Sequence, residues 1–306
     1  MKPSAFDYIR VETVDETLAV LATGDPDTKI LAGGQSLLPM MNMRLAEPKR
    51  LVDINGLRAL DLAPQPVLSA SMGEDSGDFL EVGALVRQRQ LERYTASEPR
   101  AQLLYTALRY VGHPQTRNQG TVGGSLAHAD PSAELPLVFR TLGGRVFLQS
   151  ARGERQVAAE DFFQFLFTTA IEPDELLTKI WWRLPEPHAG VAFQEFRRRH
   201  GDFALVAVAC TMTLDGNQAI QQVRLGLAGV ADTPVLIDEV GALVGERWKR
   251  ERAQAVAAAA IGRLDLADDM HATAAYRRQL TTVLTVRALE AAYRDALTKE
   301  GLRPRS

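Results

Sequence analysis

Two glycine pairs constrain this chain more than any other feature: Ala32-Gly33-Gly34-Gln35-Ser36 and Thr121-Val122-Gly123-Gly124-Ser125. Each follows aliphatic or β-branched residues and precedes helix-compatible sequence, so each reads as a strand-to-helix turn. Backbone without side chains at such a turn lets amide N–H groups converge on a phosphate, although a glycine pair also serves simply to make a tight turn. Ser36, Thr121 and Ser125 could add hydroxyl donors, and two such turns could hold the two phosphates of a dinucleotide. No two glycines in the chain are separated by a single residue, so G-x-G-x-x-G is absent, and no Gly-Lys dipeptide exists for a Walker A loop. A dinucleotide, if bound, sits in a different geometry.

The turns organise the flanking sequence into three parts. Over 1–57, Thr13-Val14-Asp15-Glu16 is a capping-box pattern with Glu16 reaching back to the Thr13 amide, and a helix runs to about Ala22. Residues 29–32 and 51–54 read as strands, and Ser36 can cap a helix carrying Leu37, Leu38, Met40, Met41 and Leu45. A second α/β part covers 58–178, with strands at 79–84 and 145–148 and a helix at 103–110. From 179 the pattern changes. Residues 191–197 alternate, Val206, Val208, Cys210, Met212 and Leu214 share one face by period two, Asp215-Gly216 turns the chain, and Val223, Leu225 and Leu227 continue. Helices at 253–261 and 274–297 follow this antiparallel sheet. The whole is an α+β protein, and the tail 301–306 reads as frayed.

Composition removes several classes of function. The chain has 306 residues, 46% of them hydrophobic, enough for a sizeable core; its formal charge of −3 offers no basic field for nucleic acid. The single cysteine, Cys210, excludes a disulfide framework and a thiolate-held iron–sulfur cluster carried by this chain alone. No apolar run is long enough to span a membrane, and the first residues lack the apolar region of a secretory signal, which fits a cytoplasmic protein.

Other candidates are weaker. His128 and Asp130 could serve as metal ligands or as a base with an orienting carboxylate, but His128 reads better as a hydrogen-bonded loop or interface histidine; with no HExxH and scattered histidines, no metal site is expected. Glu134 could accept hydrogen bonds from a ribose diol. In Arg197-Arg198-Arg199 one guanidinium could face a flavin pyrimidine edge, where negative charge gathers on reduction. Of Trp181-Trp182, one ring is expected in the core and one at a contact surface; Phe162, Phe163, Phe165 and Phe167 read as core. Nothing marks a catalytic acid, base or nucleophile.

Three segments, 29–39, 121–131 and 198–204, together resemble the FAD-binding medium subunit of molybdenum hydroxylases, a family that includes the medium subunit of carbon monoxide dehydrogenase and the flavin domain of xanthine dehydrogenase. The resemblance implies a PCMH/vanillyl-alcohol-oxidase-type FAD-binding fold of two α/β subdomains with a C-terminal antiparallel sheet and helices. It implies that Lys29, Ile30, Leu31, Ala32, Gly33, Gly34, Gln35 and Ser36 wrap the diphosphate of FAD, and that Thr121, Val122, Gly123, Gly124 and Ser125 hold its other side and the ribityl chain. Glu134 matches an acidic ribose contact and Leu177 an apolar wall. Arg197 falls where xanthine dehydrogenases carry a lysine by the isoalloxazine, a departure. The implied role is electron transfer, from 2Fe-2S clusters on a small partner subunit and a molybdenum pterin on a large one, to an external acceptor, in a heterotrimer or its dimer. A self-contained flavin oxidoreductase of the same fold and a flavin-free nucleotide-binding scaffold are the alternatives.

Overall fold

The structure is a computed structural model and describes residues 2–72 and 75–301; the tail from 302 on, read as frayed, lies outside the described residues. Near the N-terminus, strands β1 (Asp7–Arg10), β2 (Thr28–Leu31) and β3 (Arg50–Asp53) form a parallel sheet with β3 in the middle. Helix α1 (Val14–Leu21) lays Leu18 and Leu21 against Val52 and Ile54, an apolar stripe at helical spacing. Thr13 caps it, Oγ1 accepting from the Glu16 amide at 3.1 Å. The expected capping box does not close on Thr13: Glu16 Oε2 instead accepts from the Glu12 amide at 2.8 Å, one residue earlier. Helix α2 (Leu37–Asn42) is shorter than expected. Arg44 takes φ 58°, which no helix tolerates, and Leu45 is left exposed.

A five-stranded antiparallel sheet follows, in the order β4 (Gln65–Met72), β5 (Asp75–Gly83), β10 (Leu176–Arg183), β6 (Gly144–Ser150), β7 (Gly153–Ala158). Between these strands in sequence lie α3 (Gln88–Thr95), α4 (Gln102–Leu108), α5 (Pro114–Gln119), α6 (Val122–His128), α7 (Glu134–Leu142), α8 (Ala159–Phe162) and a hairpin of β8 (Phe163–Phe165) and β9 (Thr168–Thr169). Alternation on β10 buries Trp182 and leaves Trp181 half-buried, its Nε1 donating to Glu81 at 2.7 Å. Phe162 and Phe163 are core, but Phe165 and Phe167 are not. They stand exposed on the tight β8–β9 turn, where Phe167 takes φ 52°.

The C-terminal sheet runs β11 (Gly190–Phe196), β12 (Val206–Leu214), β13 (Ile220–Ala228), β14 (Val235–Leu236), all neighbours antiparallel. Asp215 Oδ1 accepts from the Asn217 and Ala219 amides and closes the β12–β13 turn. Helices α9 (Arg250–Gly262) and α10 (Ala274–Lys299) cover one face, where Val208, Cys210, Leu225, Leu284, Ala288 and Leu289 share a core. Each fully buried Leu or Val there contributes about 1.5–3 kcal/mol. A Cβ on Gly190 would lie 2.0 Å from the Ala292 carbonyl oxygen, so α10 rests directly on that strand.

By contact the chain forms two compact units. One comprises the described residues up to Tyr94 with His113–Ala129 and Gly144–Trp182; the other comprises Thr95–Gly112, Asp130–Gly143 and the described residues from Arg183 on. Among the described residues no helix is long and apolar enough to cross a membrane.

Candidate functional site

The first glycine turn leaves β2 and enters α2 within the first unit. Its approach is held by pairing of Lys29 with Leu51 and Ile30 with Val52, and Ile30 packs on the Val52 core while Lys29 is exposed. Gly33 then runs backbone against backbone. A Cβ there would lie 2.6 Å from the Gln119 carbonyl oxygen, 2.8 Å from Gly120 Cα and 3.0 Å from the Thr121 nitrogen. No side chain fits. Gly34 takes φ +69°, the left-handed region that glycine enters without strain. The amides of Gly33, Gly34, Gln35 and Ser36 have no acceptor among the described residues, and Ser36 stands at the α2 N-cap with no hydrogen bond from its side chain. Four consecutive N–H donors are therefore uncommitted, an arrangement suited to an anion.

The second turn abuts the first and is built oppositely. Thr121 caps α6, its Oγ1 accepting from the Gly124 amide at 3.1 Å. The Val122 amide donates to Val86 O and the Gly123 amide to Ala84 O, both at 2.9 Å, and the Ser125 amide donates to Thr121 O at 3.2 Å. All four amides that follow Thr121 are thus engaged inside the protein. A Cβ on Gly123 would lie 2.7 Å from Ala84 Cβ and 2.8 Å from Ala84 O, so this glycine serves close packing. The Ser125 side chain, half-buried, makes no hydrogen bond among the described residues.

Two residues absent from the sequence expectations tie the turns together. Asn55 Nδ2 donates to Ala32 O at 2.8 Å, and Asn55 Oδ1 accepts from Arg87 Nη2 at 2.8 Å. The same guanidinium donates through Nη1 to Gln119 O, the carbonyl that presses on Gly33. Asn55 is the second residue after β3 and Arg87 directly precedes α3, so each sits at an element end beside the turn it braces. Only the Asn-Gly step at 55–56 was a sequence signal, and it signals a turn rather than a clamp.

The other expected residues are dispersed. Leu177 lies buried on β10 opposite Leu148, in the first unit. His128 ends α6 and contacts the Phe167 ring, and Asp130 Oδ1 accepts from the Ser132 amide at 2.8 Å. Among the described residues no group of three or more His, Cys, Asp or Glu is placed to hold a metal ion. Cys210 is buried, and burial pushes its thiol up, away from reactivity.

Glu134 and Arg197 belong to the second unit. Glu134 is the first residue of α7 and is buried. Arg197 Nη1 donates to Tyr110 O at 2.6 Å, and its guanidinium lies 5.0 Å from the centre of the Tyr110 ring. Beside both is Glu195 on β11, whose side chain is 0% exposed. Neither of its oxygens has a hydrogen-bond partner among the described residues. Arg197 Nη1 comes within 3.4 Å of Glu195 Oε1, but its alignment is toward Tyr110. Burial first, then the charge of Glu134, pushes the Glu195 acid up to about 8, against a smaller downward pull from Arg197.

Comparison with known proteins matches this architecture. Residues 4–187 match the family described as the FAD binding domain in molybdopterin dehydrogenase, and residues 191–292 match the carbon monoxide dehydrogenase flavoprotein C-terminal domain. The chain is 37% identical over 306 residues to the 6-hydroxypseudooxynicotine dehydrogenase complex subunit alpha of Paenarthrobacter nicotinovorans, covering 99% of each chain. It is 33% identical over 293 residues to the carbon monoxide dehydrogenase medium chain of Afipia carboxidovorans, covering 95% of this chain and 98% of that one. Among solved structures, carbon monoxide dehydrogenase from Hydrogenophaga pseudoflava superposes with a TM-score of 0.88 at 31% identity, over 96% of this chain and 99% of that one. Quinoline 2-oxidoreductase from Pseudomonas putida 86 gives 0.87 at 34% identity, over 97% and 100%. With a family match over more than half its length and these full-length relatives, the chain belongs to the FAD-binding medium-subunit family of molybdopterin dehydrogenases.

Proposed function

We propose that this chain is the FAD-carrying electron-transfer subunit of a multi-subunit molybdenum hydroxylase or dehydrogenase. The observation that supports it most directly is the row of uncommitted amides at Gly33, Gly34, Gln35 and Ser36, on a turn where no side chain fits at Gly33. Those donors match what the diphosphate of FAD needs: fixed N–H dipoles, little side-chain bulk and a nearby hydroxyl at Ser36. The chemistry FAD supplies when bound is the exchange of single electrons for paired ones.

The remaining work falls to the chain's own residues. Lys29, Ile30, Leu31 and Ala32 hold the first turn on its sheet. Residues 121–125 form the wall behind that turn, with the Ser125 hydroxyl available to the ribityl chain. Glu134 accepts from the ribose, Leu177 supplies an apolar surface, and Arg197, anchored on Tyr110, sets positive charge toward the isoalloxazine. In this reading 1–57 and 58–178 carry the cofactor, and 179–306 is the C-terminal part. No acid, base or nucleophile for an organic substrate is assigned. With one buried cysteine the chain lacks the thiolates for a cluster, so the 2Fe-2S clusters and the molybdenum pterin belong to a small and a large partner subunit, in a cytoplasmic heterotrimer or its dimer. Subunit and medium-chain designations among the relatives support that arrangement.

Purification of the native assembly, with flavin, iron and molybdenum analysis and sizing of its chains, tests the function. FAD is expected with this chain and the metals with two others; an assembly that is colourless and stays so with added FAD ends the reading. Gly34→Val tests the turn. The nearest atoms to a Cβ there belong to the flexible Leu38 side chain, at 2.9 Å, so the fold survives with about 1–2 kcal/mol of backbone strain. FAD content is expected to fall by about tenfold or more, equivalent to about 1.4 kcal/mol of binding. Full occupancy would remove the assignment of residues 33–36.

A further inference from the structure

Glu195 is a buried carboxyl group for which the proposed function has no use. Along β11 the side chains alternate: Ala192 and Phe196 join the core under α10, while Phe193, Glu195 and Arg197 point to the opposite face, where Phe193 and Arg197 both meet Tyr110 after α4. The charged and titratable groups on the elements packed over this face are Tyr105 in α4, Arg109 and Tyr110 after it, Glu134 and Arg140 in α7, and Arg197 on β11 itself. The neighbouring strand β12 carries only Cys210, which is buried with Ala192 in the core on the opposite face. Of these, Glu134 and Arg197 act on Glu195.

Two carboxyl groups held together out of water do not both ionise. The surroundings of the two carboxyl groups differ. Glu134 is the first residue of the nine-residue helix α7, where the helix dipole favours negative charge. Glu195 lies mid-sheet, with no such dipole, no hydrogen bond on either oxygen among the described residues, and an arginine aligned elsewhere. An ionised carboxylate so placed is strongly disfavoured, and the neutral acid is the stable form.

We propose that Glu195 is a positioning residue that carries this proton, so that Glu134 stands as the single carboxylate of the pair, and that loss of the proton sets the alkaline limit of FAD retention. The FAD limb rests on the reading that Glu134 contacts the cofactor. Ionised Glu195 would place a second negative charge against Glu134, and Glu134 would then take up a proton or move.

The test uses the full-length chain, with FAD affinity read by quenching of flavin fluorescence between about pH 6.5 and about pH 9.5. Wild-type affinity is expected to hold to about pH 8 and then fall by about tenfold per pH unit, the slope of one linked proton. Glu195→Gln, which mimics the neutral acid, is expected to stay flat across the range, while Glu195→Asp keeps an alkaline fall. A flat wild type, or the same fall in Glu195→Gln, overturns the proposal. If Glu134→Gln binds FAD as tightly as wild type, the FAD limb is overturned through the reading it rests on.

A second readout needs no flavin. The folded chain keeps the Glu195 proton up to about 8, whereas the unfolded chain loses it near 4.5. Folded protein therefore binds more protons between those values, and stability falls as pH rises through that window, fully present below it and lost above. The melting temperature of the apo chain is expected to show that decline in wild type and to lack it in Glu195→Gln, which melts above wild type at about pH 8. Identical melting profiles would show that Glu195 carries no such proton.

Discussion

The two glycine turns have nearly the same sequence and opposite construction. At 33–36 the glycines clear space and leave the main-chain donors facing away from the protein's own acceptors. At 121–125 the glycines let one backbone settle onto another, and the donors are satisfied by Ala84, Val86 and Thr121. A glycine pair by itself therefore says that backbone comes close to something, without saying whether that something is a ligand or the rest of the chain. In the proposed reading the first turn is the binding surface and the second is the abutment that keeps it in place. Arg87 joins the two through Gln119 O and Asn55.

The sharpest way to break this contrast is Gly123→Val. The added carbons meet Ala84 backbone and Cβ, which cannot rotate away, so the cost is about 3 kcal/mol of stability, read as a lower denaturation midpoint. Any loss of flavin is then expected to track the loss of stability. A Gly123→Val protein with wild-type stability and no flavin would make the second turn a binding surface as well.

Next in size is Arg87→Ala. Its charge-assisted hydrogen bonds to Gln119 O and Asn55 Oδ1 lie at a half-buried position, and their removal is expected to cost about 1–2 kcal/mol. FAD affinity should fall with it by about tenfold or less, since the first turn loses its brace but keeps its donors. Arg87→Lys reaches with a single point charge and should recover only part of either loss. Unchanged flavin affinity in Arg87→Ala would show that the turns hold their shape independently.

How much of this was legible in the sequence depends on how local each cause is. Thr13 capping α1, the alternation of β12 and the long α10 rest on spacing within one segment, and they stand where the spacing put them. Strand β1 carried no such signal: its four residues, Asp-Tyr-Ile-Arg, are mostly exposed and hold their place by parallel pairing with β3, more than forty positions away. The β6–β7 hairpin hides its outer strand similarly, because Glu154, Arg155 and Gln156 face solvent. Helix α2 stops early because Arg44 turns left-handed, and Leu45 is apolar without being buried. At the site, the glycines were visible as residues, but the fate of their amides was not. Asn55 and Arg87 matter through partners more than twenty positions distant. Glu195 did leave a trace: it is a carboxyl group two residues from Phe193 on an alternating strand, on the same side.

The smallest effect distinguishes cap from ligand at Thr121. Its Oγ1 already accepts from the Gly124 amide, and its main-chain oxygen accepts from Ser125, so the side chain acts on the start of α6. Thr121→Ala is expected to cost about 1 kcal/mol, the usual worth of an N-cap, and to change FAD affinity by less than about twofold. Thr121→Ser keeps the acceptor and should restore the midpoint. Ser125→Ala supplies the counterpart, because that hydroxyl has no partner among the described residues: stability stays within about 0.5 kcal/mol, and any loss falls on flavin affinity. Were the pattern reversed, with Thr121→Ala sparing stability and shedding flavin, the hydroxyl would be a cofactor contact and the second turn would share the chemistry of the first.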